Sequence, residues 1–172
     1  MVVGIALAHA IKKTTGVMPG IKWPNDLLTG GKKIAGILTE MNSEMDKINY
    51  IITGIGINVN NQADSLPEDI KPIATSLREI CRKDISIINL VRNLLEEFDY
   101  WYSTFIGKGF APISAEWKKL NVTLGNRVKV YDGEIEIFGK AMNIDEEGFL
   151  IVLSDTGQSI RILSGDVSLR NQ

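Results

Sequence analysis

Apolar and polar positions divide the chain into stretches of different period. From Val2 to Thr15 apolar residues stand at 2, 3, 5, 6, 7, 8, 10 and 11, nearly all round a helical wheel. Lys12 and Lys13 in the last turn and Gly16 just beyond are helix-stop chemistry, so a helix enclosed by other elements is predicted. Gly20 to Trp23 reads as a short strand and Pro24-Asn25-Asp26 as a turn. Leu27 to Glu40 has the pattern of a hairpin with its tip at Thr29-Gly30-Gly31-Lys32. Asn42 to Lys47 is a polar turn by composition, and Ile48 to Val59 a long β-rich run interrupted by Gly54 and Gly56. Glycines inside a strand mark close approach of a ligand or another backbone, a packed bulge being the alternative.

Asn60 to Pro72 is a loop with two prolines, and Ala74 to Cys81 a short helix. Ser86 is placed to cap a longer one, in which Ile87, Leu90, Val91, Leu94, Leu95, Phe98, Trp101, Tyr102 and Phe105 recur at helical spacing. That stripe is expected to be core packing. Gly107 and Gly109 end it, and Pro112 precedes a helix around Ile113 to Leu120. After Asn121 the pattern shortens to five β runs: Arg127–Tyr131, Glu134–Asn143, Gly148–Leu153, Ser159–Leu163 and Val167–Arg170. The intervening turn signals are Asp132-Gly133, Asp145 to Gly148, Asp155-Thr156-Gly157 and Ser164-Gly165. Such spacing suggests a small closed or nearly closed barrel. The division is expected near Asn121: residues 1–120 as one α+β unit, 121–172 as the β unit.

Composition changes little in this picture but excludes several classes. The 172 residues carry a net charge of -2, which gives no electrostatic footprint for nucleic acid or an anionic membrane. The single cysteine, Cys81, excludes an internal disulfide and Cys clusters for zinc or iron–sulfur, and fits a reducing cytosol. The apolar opening run is too short to span a bilayer, and its lysines follow it, where a secretory signal would have them first. His9, the only histidine, lies in the first helix and is expected to be structural.

No nucleophile elbow, triad, metal cluster or Walker loop is present. What remains is Lys22, Lys33, Asp26, Asn25 and Asn58 around strands bearing Gly36, Gly54 and Gly56. Lysines stabilise phosphate or carboxylate charge, an Asp can hold Mg2+, and an Asn offers the donor and acceptor that an adenine edge needs. These residues suit a reaction run by positioning and charge, such as adenylation of a carboxylic acid.

Lys22-Trp23-Pro24-Asn25-Asp26, then Lys33-Ile34-Ala35-Gly36-Ile37-Leu38, then Gly54-Ile55-Gly56-Ile57-Asn58-Val59-Asn60 together resemble biotin–protein ligase. Ala74-Thr75-Ser76-Leu77, Trp117-Lys118-Lys119-Leu120 and Ser168-Leu169-Arg170 extend the likeness over nearly the whole chain. The resemblance implies a mixed-sheet α+β fold like class II aminoacyl-tRNA synthetases, present in part, followed by an SH3-like β-barrel. It implies biotin and ATP joined as biotinyl-5'-AMP, then transfer of biotin to a lysine of a biotin carboxyl carrier domain, in the cytoplasm. Carried over by position, Lys33 and Lys22 are catalytic. Lys33, Gly36, Leu38, Gly54 and Gly56 would bind biotin. Asn25, Asp26, Asn58 and Arg170 would bind ATP, with Asp26 also on Mg2+. Asp166 and Arg170 would stand between the two units, and the Ile48 to Ile57 edge would pair two copies.

The family's Gly-Arg-Gly-Arg-x-Gly-Arg loop has no counterpart: there is no Gly-Arg dipeptide, and the first arginine is Arg78. The chain therefore resembles the rear of the catalytic unit plus the barrel. Three readings follow: a ligase inactive or active by itself, a non-catalytic partner-binding remnant, and a lipoate-type ligase.

Overall fold

Helix α1 (Val2–Thr15) is the buried centre. Ile5, Leu7 and Ile11 have no solvent exposure, as the all-round apolar pattern requires. It stops where expected: Gly16 takes a left-handed φ of 82° and its N–H donates to the Lys12 carbonyl at 2.9 Å. The structure is a computed structural model describing residues 1–44, 47–62, 66–132, 135–163 and 165–170. The side chains of Asp132, Ile135, Asp166 and Arg170 are outside that description, as are residues 133 and 164 in two of the anticipated turns and residue 134 at the start of an anticipated strand.

Against α1 pack helices α3 (Ile87–Lys108) and α4 (Ala111–Leu120) and the first strands of a four-stranded antiparallel sheet, and a short helix α2 (Leu77–Cys81) precedes α3. The sheet's strands β1 (Gly20–Lys22), β2 (Asp26–Thr29), β3 (Lys32–Glu44) and β4 (Lys47–Ile57) pair in sequence order. The β2–β3 connection is the predicted two-residue hairpin. Gly30 and Gly31 both take positive φ, 57° and 76°, which a side chain would resist. The polar stretch from Asn42 is strand rather than turn, because β3 runs to Glu44 and β4 starts at Lys47; residues 45 and 46 lie outside the description. Ser76 caps α2 by accepting from the Glu79 N–H at 3.2 Å, so that helix begins three residues later than expected.

His9 is structural. Its Nε2 lies 3.0 Å from Glu116 Oε1 on α4, and its ring stacks on Trp101 of α3 with centroids 5.5 Å apart. Lys119, and after it His9, hold the Glu116 carboxyl below the usual range against the opposing effect of its burial.

The α3 stripe departs from expectation. Leu90 is buried, and Leu94 and Trp101 pack on the core, but Phe98, Tyr102 and Phe105 are 36%, 48% and 38% exposed. They line a 640 Å3 cavity with Val2, Val3, Ile37, Ile51 and Trp117. Helical periodicity identifies an apolar face; it does not say that an element covers it.

The second sheet contains β5 (Arg127–Asp132), β6 (Ile135–Ile144), β7 (Leu150–Ser154), β8 (Ser159–Ile162) and β9 (Asp166–Arg170), in the order β8-β7-β6-β5-β9. This five-stranded antiparallel sheet has its own apolar interior of Val128, Val130, Leu150, Val152 and Ile162, and among the described residues its edge strands β8 and β9 share no ladder. It is tied to the first sheet at Trp23. The Trp23 N–H donates to Thr123 Oγ1 at 2.8 Å, its indole N–H donates to the Gly148 carbonyl at 3.2 Å, and Val122 N–H donates to the Ile21 carbonyl at 2.9 Å. Among the described residues no helix is long and apolar enough to cross a membrane.

A Cβ on Gly139 of β6 would collide with the Leu153 carbonyl oxygen of β7, a backbone atom that cannot step aside. Gly139→Ala is expected to lower unfolding free energy by about 2–3 kcal/mol. Urea denaturation followed by tryptophan fluorescence measures this, and a loss well under about 1 kcal/mol would mean that the β6–β7 pair yields.

Candidate functional site

Antiparallel pairing decides which residues share a face. Gly36 is opposite Gly56, Leu38 opposite Gly54, and Asp26 opposite Gly36, while Lys22 is opposite Asp26. With a side-chain period of two, Lys22, Asp26, Gly36, Leu38, Gly54 and Gly56 fall on one side of the sheet. Ile37, Thr39, Ile51 and Thr53 fall on the other, where they line the large cavity. This cavity and the Lys22, Asp26 and glycine positions are thus on opposite faces.

Strict alternation would also send Lys33 to the wrong face, since it is an odd number of residues from Gly36. A bulge corrects this. Leu27 pairs with Ala35 but Leu28 pairs with Lys33, so Ile34 is the extra residue. Lys33 then reaches across Gly36 to Asp26, Nζ to Oδ1 2.5 Å, while Lys22 Nζ meets Asp26 Oδ2 at 3.0 Å. Gly36 makes this crossing possible: a Cβ there would stand 3.1 Å from both Cε and Nζ of Lys33. The parallel bridge from Lys33 to Ala74 anchors the strand from its other edge, with Lys33 N–H donating to Ile73 and Thr75 N–H donating to Lys33.

The three charges sum to +1 beside an open surface. Asp26 has 12% of its side chain exposed, Lys22 20% and Lys33 47%. Each carboxylate oxygen carries one ammonium, a charge-assisted pairing on both sides of the group. Mg2+ does not fit this arrangement as a direct ligand of Asp26. Both oxygens are taken and two cations already flank the group.

Gly54 and Gly56 are exposed, and a Cβ at either would approach nothing nearer than a carbonyl at 3.9 Å. Neither sits at a bulge in β4, the irregularities being at Leu27/Leu28 and Asn42/Ser43. No contact among the described residues requires glycine at either position, which leaves both open to approach by a ligand or another backbone. Leu38, opposite Gly54, is an apolar side chain left 63% exposed on the same face.

Asn58 follows two residues after Gly56. Its N–H donates to the Ile34 carbonyl at 2.8 Å and its carbonyl accepts from Leu77 N–H at 2.9 Å. Its backbone is thus fixed, while its half-buried side-chain amide has no hydrogen-bond partner among the described residues. Asn25 is placed differently. Its Nδ2 donates to the Ile37 carbonyl at 2.8 Å and its own carbonyl accepts from Ile37 N–H at 3.0 Å, bracing the turn on the cavity side of the sheet. Asn25 holds the loop that presents Asp26 and is not brought to the glycine face. Arg170 is in β9 opposite Arg127, and its side chain, like that of Asp166, lies outside the described residues.

Sequence reasoning missed the brace at Asn25, although an Asn after Pro in a turn is the usual signal for one. It also missed that Lys22 and Lys33 share a single carboxylate, which follows only from strand register and the bulge.

Comparison with known proteins places these residues in context. The family described as Biotin/lipoate A/B protein ligase matches residues 1–58, and the biotin protein ligase C terminal domain matches residues 123–170. The Bacillus spizizenii bifunctional ligase/repressor BirA is 36% identical over 169 residues, covering 98% of this chain and 52% of that protein. The Mycobacterium tuberculosis biotin–[acetyl-CoA-carboxylase] ligase is 31% identical over 172 residues, covering 95% and 59%. The chain thus spans about half the length of the curated relatives it matches. The apo structure of the Aquifex aeolicus biotin protein ligase superposes with a TM-score of 0.83 at 34% identity, covering 99% of this chain and 73% of that one. The same Aquifex protein, in complex with biotin and ATP, gives a TM-score of 0.82.

Gly36→Ala should leave the fold intact, within about 1 kcal/mol of the parent, because the obstructed atoms are the far end of a flexible side chain. It should push Lys33 off Asp26. Acetic anhydride labelling read by peptide mass should then show Lys33 reacting faster with other lysines unchanged. An unaltered Lys33 rate would contradict the crossing described here.

Proposed function

The chain belongs to the biotin protein ligase family, and we propose that its glycine-bearing face joins biotin to ATP and then delivers biotin to a carrier lysine. The observation that carries this reading is Lys33 folded across Gly36 onto Asp26, at the rim of a face that Gly54 and Gly56 leave open. A carboxylate arriving there meets an ammonium that is half exposed, with the second cation, Lys22, fixed behind it.

In the first step a biotin carboxylate oxygen attacks the α-phosphorus of ATP and the bond to pyrophosphate breaks. Negative charge concentrates on the α-phosphoryl oxygens, where Lys33 stabilises it, and Lys22 adds a second positive charge. Leu38 supplies an apolar contact for the biotin body, and Gly36, Gly54 and Gly56 allow it to lie against backbone. The Asn58 amide offers a donor and an acceptor to the adenine edge. In the second step a lysine amine of a biotin carboxyl carrier domain attacks the acyl carbon, AMP leaves with the bonding electrons, and the amine loses a proton. We place the catalytic unit at residues 1–120 and the β unit at 121–172, with Arg170 of β9 near the nucleotide, in a cytoplasmic protein.

The test is biotin-dependent formation of biotinyl-5'-AMP from biotin and MgATP, detected by mass. Lys33→Ala is expected to reduce it by about 10²-fold or more, the scale of losing one charge stabiliser at a developing oxyanion. Asn58→Ala is expected to weaken ATP by about tenfold and biotin hardly at all, as calorimetry of each ligand would show. Equal losses for both ligands would remove Asn58 from the adenine. Tighter binding of lipoic acid than of biotin would replace the ligase proposed here by a lipoate enzyme. Failure to bind either would leave a partner-binding module.

A further inference from the structure

Asp26 would conventionally be assigned to a divalent cation, but the geometry points to a different task. We infer that Asp26 is a positioning residue for two lysines: it fixes Lys22 and parks Lys33 until a substrate carboxylate takes Lys33 over. This inference rests on the adenylation reading for the substrate's identity, and on the ion-pair geometry alone for Asp26 itself.

The pairing is divided evenly, one ammonium to each oxygen, with Lys22 on Oδ2 at 3.0 Å and Lys33 on Oδ1 at 2.5 Å. The two lysines differ in freedom. Lys22 has 20% of its side chain exposed and is held four residues from Asp26 across the turn that Asn25 braces. Lys33 has 47% exposed and crosses over Gly36, with only backbone beneath it. Of the two, Lys33 can leave without disturbing the fold.

Leaving is inexpensive if one carboxylate replaces another. An ammonium stripped of its partner in a partly buried site is costly, whereas exchange between two carboxylates keeps it paired throughout. Asp26 meanwhile keeps Lys22. Without Asp26 two like charges would be brought together on one face with nothing between them, and their repulsion would spread them apart. The same carboxylate is a poor direct ligand for a divalent cation, which would have to displace at least one ammonium and shed tightly held water while facing a local charge of +1. A cation entering with a nucleotide need not touch Asp26.

The experiment uses the full chain labelled with 15N. Lysine ammonium signals are recorded for the parent, Asp26→Asn, Lys22→Met and Lys33→Met. Two slowly exchanging ammonium signals are expected in the parent, one lost in each lysine variant and both lost in Asp26→Asn. Signals unchanged in Asp26→Asn would overturn the clamp. If Asp26→Asn does not fold, the lysine variants still assign the signals, and persistence of the Lys22 signal in Lys33→Met supports Asp26 as its holder.

Mn2+ is then titrated into the parent without nucleotide. Amides of Asp26, Leu27 and Gly36 are expected to keep their intensity, and selective broadening centred on Asp26 would restore it as a metal ligand. Biotin added alone should move the Lys33 signal and leave Lys22 in place; the reverse would overturn the parking role. If biotin and ATP both fail to bind by calorimetry, the ligase reading fails, while the ammonium and Mn2+ results still decide what Asp26 does.

Discussion

One extra residue in β3 makes the ion pair between Lys33 and Asp26 possible. Without Ile34 as the bulge, Lys33 would point into the cavity with Ile37, and the glycine face would hold Asp26 and Lys22 alone. The bulge is held from both sides. The Gly30-Gly31 turn fixes where β3 begins, and backbone bonds to Ile73 and Thr75 grip Lys33 from the loop before α2. Gly36 then clears the path for the side chain. Two stretches of sequence, residues 30–36 and 73–75, converge on the position of one ammonium group.

Much of this was legible beforehand, and for identifiable reasons. The helix over Val2 to Thr15, its stop at Gly16 and the Gly30-Gly31 hairpin rest on local chemistry, so sequence was sufficient. That Gly54 and Gly56 interrupt a strand was legible, because the apolar run on either side of them is β-rich. What could not be read was anything set by register. A one-residue slip reverses every side chain, and nothing in Lys33-Ile34-Ala35 announces that Ile34 is the extra residue. For the same reason Asn25 and Asp26, adjacent in sequence, serve opposite sides of the sheet.

The α3 stripe teaches a different lesson. Phe98, Tyr102 and Phe105 have the spacing of core residues yet line an open cavity, since periodicity reports an apolar face and tertiary contact decides its cover. The second sheet was legible as five short strands, because turn signals separate them, but closure was not, as it depends on whether β8 and β9 meet. Its tie to the Trp23 turn, through Thr123 and Gly148, places the β unit directly behind the loop that presents Asp26.

The most direct test of the account is the intact mass of a biotin carrier domain after incubation with this chain, biotin and MgATP. The account predicts a mass gain of one biotinyl group that requires ATP and disappears with Lys33→Met. A carrier of unchanged mass, or a gain that persists in Lys33→Met, would contradict the role given to the glycine face and its parked lysine.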